Sequence, residues 1–308
     1  MSTKIRISDE ATKDVIPAPI LEFFRNKGVD QCELIEENVR KGRYCFAYQD
    51  GEKKRFLKWS NDAKEYEYFH QALQKEHTVY RILQGRGITP EYVEEAEHPD
   101  LVITEFLPKS TTLREKIKEL LEYHMEEDIR ILVETLIREW IEYVERVSPH
   151  RKELAGEETG EDLFRKYLSS LLKSGPFGTT EKRTESMKNR VLYKVYLRTR
   201  TGKVRKLIRS LNYTELPLVH GDFHANNVLV AGDHPVIIDL ESVRSGIPEI
   251  EIAYMYAQIC LLIRDRKDLM HQLNEYLVKK ISANYSKSAF RYFFRLFYRA
   301  IRKNHRFY

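Results

Sequence analysis

A chain of 308 residues that is 42% hydrophobic and carries 14 Phe and 19 Tyr has apolar material for a large core or two lobes, which excludes an intrinsically disordered chain. Its net charge of +5 tolerates an anionic ligand without demanding one. No apolar run approaches the roughly 18 residues that span a bilayer, and the opening MSTKIRISDEATKD lacks the apolar core of a signal peptide, so a cytoplasmic protein is expected.

Residues 31 to 60 read as strands. CELIEENV, RYCFAYQD and KRFLKWS alternate or cluster apolar residues, with a turn signal at Gln49-Asp50-Gly51. Helical spacing follows in Tyr66, Phe69, Leu73, His77, Tyr80 and Leu83, closed by Gly85 and Gly87. Pro90 to Phe106 reads as two further strands ending in Leu101-Val102-Ile103. Thr112 and Glu115 have the spacing of a capping box ahead of Leu113, Ile117, Leu120 and Leu121. A second long helix carries Ile129, Val133, Leu136, Trp140, Val144 and Val147 and stops before Pro149. A strand-rich start and a helix-rich remainder predict an α+β protein of two lobes joined near residue 107. Cys32, Cys45 and Cys260 are scattered without CxxC spacing, which argues against a disulfide framework and a zinc knuckle.

The stretch LVHGDFHANNVLV, residues 218 to 230, sets a polar knot between apolar ends. Val228-Leu229-Val230 and Val236-Ile237-Ile238 match across the turn Gly232-Asp233-His234-Pro235, which predicts a short hairpin with Asp239 and Glu241 just beyond it. Asp222, Asn227 and Asp239 would gather at one end. Phosphoryl transfer from a nucleotide needs such a set: a carboxylate to orient the attacking hydroxyl and hard oxygen ligands for magnesium. The plain alternative for a lone HGD is a polar turn.

The match is longer than HGD. His220-Gly221-Asp222-Phe223-His224-Ala225-Asn226-Asn227, followed by Ile238-Asp239-Leu240-Glu241, resembles the HGDxHxxN and IDxE pattern of the aminoglycoside phosphotransferase and choline kinase group, within the protein-kinase-like fold. That resemblance implies a small strand-rich N-terminal nucleotide-binding lobe (1–106), a hinge at about 104–110, and a larger, mainly helical catalytic and acceptor-binding lobe (107–308). By the same resemblance Asp222 is the catalytic base, and Asn227 and Asp239 hold Mg2+. His220 is structural beneath the catalytic loop, and Glu241 supports it. Protein kinases usually have Arg after the first His and Gly where Glu241 stands, so Gly221 and Glu241 point toward a kinase of small molecules.

The resemblance further implies that Lys58, in Phe56-Leu57-Lys58-Trp59, touches the α- and β-phosphates. Glu76, in a helix resembling the family's E-x-x-x-Y-x-x-L, would hold that lysine. Glu105, Phe106 and Leu107 resemble the hinge whose backbone grips adenine. In Gly246-Ile247-Pro248-Glu249-Ile250-Glu251-Ile252-Ala253, Glu251 stands where Asp is usual and is read as a brace for the catalytic loop. The pattern departs from protein kinases in lacking GxGxxG. Only Gly42, in Val39-Arg40-Lys41-Gly42-Arg43-Tyr44, marks a phosphate loop, and ATP versus GTP is left open. His220, His224 and His234 could pass for a zinc set, but the motif context argues against zinc.

Residues 180 to 210 hold eleven Lys or Arg against two Glu, including Arg198, Arg200, Lys203, Arg205, Lys206 and Arg209. The plain reading is a solvated helix face, the sharper one an anion-attracting rim that would repel polycationic aminoglycosides. At the C-terminus Arg291, Arg295 and Arg299 stand four apart among aromatics, which predicts a terminal helix packed on the larger lobe, with a membrane or RNA contact as the alternative. No DNA partner is expected. The sequence thus points to a nucleotide- and Mg2+-dependent O-phosphotransferase acting on a neutral or anionic small molecule. A protein or glycan kinase and a non-catalytic nucleotide-binding module are the alternatives.

Overall fold

The computed structural model describes residues 3–9, 15–38, 42–93, 101–155 and 215–304, together with 207, 210, 211 and 213. Val39 to Lys41 and all of the basic stretch 180–210 except residues 207 and 210 lie outside the described residues. The chain divides into two compact units, one of Met1–Lys116, Arg138–Val147 and Asn226–Val243, the other of Ile117–Ile137, Ser148–Ala225 and Arg244–Tyr308.

The elements follow in chain order as β1 (Thr3–Arg6), α1 (Ala18–Asn26), β2 (Gln31–Asn38), β3 (Arg43–Asp50), β4 (Lys53–Ser60), α2 (Glu67–Leu83), β5 (Tyr92–Val93), β6 (Leu101–Glu105) and β7 (Thr111–Thr112). Next come α3 (Leu113–Glu122), α4 (Glu126–Val147), α5 (Arg151–Ala155), β8 (Leu218–Val219), β9 (Val228–Ala231), β10 (His234–Ile237) and β11 (Arg244–Ser245). The chain ends in α6 (Pro248–Leu262), α7 (Lys267–Asn284) and α8 (Lys287–Asn304). No helix among the described residues is long and apolar enough to cross a membrane.

The first unit is built on a six-stranded sheet of order β1-β2-β3-β4-β6-β5, antiparallel at each pairing. Asp50 pairs with Lys53, so Gly51 and Glu52 form a two-residue hairpin loop, and Gly51 supplies the positive φ of +59° that a right-twisted hairpin requires at that position. β1 and α1 precede the predicted strands. Pro17 and Pro19 open α1, whose Ile20, Leu21, Phe23 and Phe24 pack on the sheet, with the Phe24 ring edge-on to Phe46 at 5.7 Å. Phe46, Tyr48, Leu57, Trp59, Leu101 and Ile103 complete this apolar layer. Each such side chain contributes roughly 2 kcal/mol by leaving water.

The predicted capping box is present: Glu115 N–H donates to Thr112 Oγ1 at 3.2 Å, and Thr112 N–H donates back to Glu115 at 3.0 Å. The β9–β10 hairpin also belongs to this unit. Its turn is shorter than the sequence suggests. His234 pairs with Ala231 and Pro235 with Val230, leaving only Gly232 and Asp233 in the loop. Pro235 fits because β10 is an edge strand of the β10-β9-β7 sheet, where a missing N–H costs no ladder bond.

In the second unit, β8 pairs with β11, and α6 is buried nearly all round, as an apolar helix inside a core must be. α8 lays its aromatic face on α6, with Tyr254 against Phe297 at 5.4 Å and Tyr256 against Phe294 at 5.2 Å. Glu249, fully buried, ties down the start of α8 by accepting Ser286 N–H at 2.8 Å, while its other oxygen takes the Tyr213 hydroxyl at 2.9 Å.

Candidate active site

Alternation along β4 fixes the direction of Lys58. Leu57 and Trp59 join the layer packed on α1, so the side chain between them leaves the opposite face of the sheet. There its ammonium lies 2.6 Å from Glu76, 2.9 Å from Asp239 and 3.1 Å from Glu241. Arg43 also pairs with Glu241, and Leu240 N–H donates to the second oxygen of Glu76 at 3.3 Å. One buried helix residue thereby holds both the strand lysine and the turn that carries Asp239.

Lys58 is only 6% exposed. Burial by itself would lower its pKa, but Glu76, Asp239 and Glu241 outweigh that effect and hold the ammonium well above its ordinary value. Glu76 is pushed up by burial, with Lys58 opposing the rise. The two directions are compatible because the lysine is shared. Two cations, Lys58 and Arg43, face three carboxylates, leaving one negative charge in excess. One carboxylate oxygen from each of Glu76, Asp239 and Glu241 lies within 4.8 Å of the other two, and such hard oxygen donors with excess negative charge suit Mg2+. Cys45 stands opposite Lys58 in the strand register, and burial pushes its thiol up to about 12, so it is no nucleophile.

Asp239 owes its direction to the backbone. Its φ of +62° and ψ of +57° lie in the left-handed region, which Asp enters more readily than most residues, and they turn the chain sharply out of β10. Just before it, Ile238 N–H donates to the Asn227 carbonyl at 3.1 Å. Asn227 and Asp239 therefore flank the same open end of the hairpin.

Gly42, at φ +58°, accepts Asn61 N–H at 2.9 Å, and a Cβ placed there would lie 2.7 Å from the Tyr66 ring. At the end of β6 and just beyond it, Glu105 N–H donates to the Glu91 carbonyl at 2.8 Å and Phe106 N–H to the Lys54 carbonyl at 3.0 Å. The Lys54 ammonium sits 4.1 Å from the centre of the Phe106 ring. Leu107 N–H finds no acceptor among the described residues.

The second unit carries the loop after β8. Glu251, on the first turn of α6, accepts two successive backbone donors, His220 N–H at 3.2 Å and Gly221 N–H at 2.7 Å. His220 is fully buried beside Phe223, and its Nδ1 accepts Asp222 N–H at 3.3 Å. Gly221 takes a φ of +86°, a conformation that an Arg at this position would strain to adopt. The Asp222 side chain is 54% exposed, with His224 Nε2 at 3.5 Å from its carboxylate.

The family model described as "Phosphotransferase enzyme family" matches residues 44–279, a span that holds Lys58, Glu76, Asp222, Asn227, Asp239 and Glu251. The chain belongs to that family. The protein is thus a phosphotransferase. No curated protein matches the chain. Among solved structures, the phosphotransferase is similar to a thermostable mutant of aminoglycoside phosphotransferase APH(4)-Ia in ternary complex with ADP and hygromycin B, at 15% identity over 85% of this chain and 82% of that one, TM-score 0.54. It is also similar to an ethanolamine kinase of Plasmodium vivax, at 15% identity over 93% of this chain and 76% of that one, TM-score 0.52. A third is the GDP complex of wild-type aminoglycoside 2'-phosphotransferase-IIIa, at 14% identity over 86% and 97%, TM-score 0.50. The phosphotransferase has the α+β, protein-kinase-like fold of these structures.

Of the residues singled out in the phosphotransferase sequence, Lys58, Glu76, Asp239 and Glu241 meet in one cluster of the first unit. His220, Asp222 and Glu251 form the hydrogen-bonded loop of the second. Arg43 joins the cluster without having been expected there. A signal exists for it: Cys45 pairs with Lys58, and Arg43, two residues along β3, lies on the same face. His234 stands apart in the first unit, where its Nε2 lies 3.0 Å from the Gly87 carbonyl oxygen.

Proposed function

We propose that this phosphotransferase moves the γ-phosphoryl group of ATP or GTP, with Mg2+, to a hydroxyl of a neutral or anionic small molecule rather than a polycationic antibiotic. The observation that carries this reading is the Lys58 cluster, in which a buried ammonium is fixed by Glu76 and faced by Asp239 and Glu241. Such an ammonium neutralises triphosphate charge, and the surplus negative charge beside it calls for a divalent cation. The ADP and GDP in the similar solved structures support a nucleotide co-substrate.

In this reading Asn227 and Asp239 hold Mg2+, which draws charge from the phosphates when bound. Asp222, half exposed at the head of its loop, orients the acceptor hydroxyl and takes its proton. Glu251 and His220 hold that loop in shape, and the unpaired Leu107 N–H receives the base of the nucleotide. Gly42 stands in the phosphate loop. The nucleotide lobe is 1–106 and the acceptor lobe 107–308. The preference against polycations rests on the eleven basic residues of 180–210.

ADP release measured over a panel of amino alcohols, sugars, sugar phosphates and aminoglycosides, with and without Mg2+, tests the reading. Turnover with a hydroxylated metabolite and loss of turnover in Asp222→Asn, with nucleotide binding retained, are expected. Turnover unchanged in that variant, or confined to aminoglycosides, overturns it.

A further inference from the structure

The exposed face of α8 carries an unbalanced row of positive charge that phosphoryl transfer leaves unused. Arg291, Arg295, Arg299 and Arg302 are all exposed, while Ala289, Phe290, Phe293, Phe297 and Ile301 are buried on the opposite side. The arginines form one row about 16 Å long at 1.5 Å of rise per residue. The helix, KSAFRYFFRLFYRAIRKN, contains no Asp or Glu. Among the described residues none of these four guanidinium groups makes an ion pair.

The long helix α4, by contrast, balances its arginines. On α4, Arg130 bonds Glu127 at 2.9 Å and Glu134 at 2.7 Å, and Arg146 bonds Glu142 at 2.7 Å. An ordinary solvated face would follow that pattern, because like charges one turn apart destabilise a helix and opposite charges support it. On α8 the repulsion is tolerated because the aromatic face is anchored on α6 and the first turn is held by Glu249 through Ser286.

We propose that this arginine row docks the enzyme electrostatically on an anionic membrane surface. Charge complementarity selects the partner. Among the described side chains of the helix, the exposed ones are Lys287, Ser288 and the four arginines, which include no Asn or Gln to read base edges and no aromatic to stack on a base. What remains is a straight line of guanidiniums, suited to the phosphates of a headgroup plane. Because the apolar face is already covered by α6, the contact is superficial, without insertion, and therefore weakened by salt.

The test is flotation of the full chain with vesicles of phosphatidylcholine alone or containing roughly a quarter phosphatidylglycerol, at low and high salt. Binding is expected only to the anionic vesicles, reversed by salt. Arg291→Gln/Arg295→Gln/Arg299→Gln should lower the partition coefficient about 100-fold, since each basic residue near such a surface contributes close to a factor of 5. The matching triple Lys variant should stay within a few-fold of wild type, and unchanged circular dichroism in both excludes misfolding as the cause. Equal binding to neutral vesicles, no binding to anionic ones, an unaffected Gln variant, or tighter salt-sensitive binding to poly(U) than to vesicles would each overturn the proposal.

Discussion

The Lys58 ammonium lies 2.6 Å from the Glu76 carboxylate, with both side chains at least nine-tenths buried. Neither charge could remain there alone. Lys58→Met is expected to destabilise the fold by about 2–4 kcal/mol, because it strands a buried carboxylate, the loss being moderated by the partial exposure of Asp239. Urea titration reads the stability, and calorimetric nucleotide titration should show affinity falling at least about tenfold.

The same pair sets the alkaline limit of the fold. The folded pKa of Lys58 is raised well above 10.5 by the carboxylates around it, against the lowering effect of burial. A raised lysine contributes stability that is fully present below its unfolded value and lost as pH rises through its folded one. Wild type should therefore hold its midpoint through mildly alkaline pH and lose stability only above about 10.5. Lys58→Met should lack that component of the loss, so parallel titration profiles of the two proteins would count against the assignment.

The loop holding Asp222 depends on one carboxylate with two acceptor oxygens. Glu251 uses both, on His220 N–H and Gly221 N–H. Glu251→Gln keeps the size but turns an NH2 toward one of those donors, leaving it unsatisfied at a cost of roughly 1–3 kcal/mol. Turnover should fall at least about tenfold, while Kd for the nucleotide changes little. An equal loss in both would show that Glu251 supports the whole fold and not the loop.

Gly42 tests whether backbone freedom at the start of β3 is needed. Its φ of +58° and the Tyr66 ring, 2.7 Å from where a Cβ would stand, oppose any side chain there. Gly42→Ala should cost about 1–2 kcal/mol, and adding Tyr66→Ala should return only the steric part, because the backbone strain persists. Full recovery in the double variant would mean that φ imposes no penalty.

Much of this arrangement is legible in the sequence. Leu57, Lys58 and Trp59 sit in a strand whose alternation separates a charged face from an apolar one, and the IDxE run puts Asp239 and Glu241 at a strand end. Less legible are elements defined by distant partners. α1 has nine residues, too few for its period to stand out, and is stabilised by packing on β3 and β4. The β9–β10 loop reads two residues too long because Pro235 resembles a turn residue until the strand is known to lie at an edge. Arg43 escapes notice because its partner, Glu241, is nearly two hundred residues away, at a separation of 198.

Glu241 bridges Arg43 and Lys58, and the charge balance of the cluster predicts what each substitution does. The wild-type cluster has one excess negative charge, two cations against three carboxylates. Arg43→Met raises the excess to two and should destabilise by roughly 1–3 kcal/mol, the penalty easing at low pH as carboxylates in the cluster take up protons. Glu241→Gln brings the balance to zero and should cost little stability, yet weaken nucleotide binding measured in the presence of Mg2+, since a neutral cluster no longer calls for a divalent cation. The double variant restores the wild-type balance. Its loss should therefore fall short of the sum of the two single losses by about 1–3 kcal/mol, which a double-mutant cycle on urea midpoints would measure. Strict additivity would mean that the Arg43–Glu241 contact is a bystander and that the charge of the cluster is set by Lys58 alone.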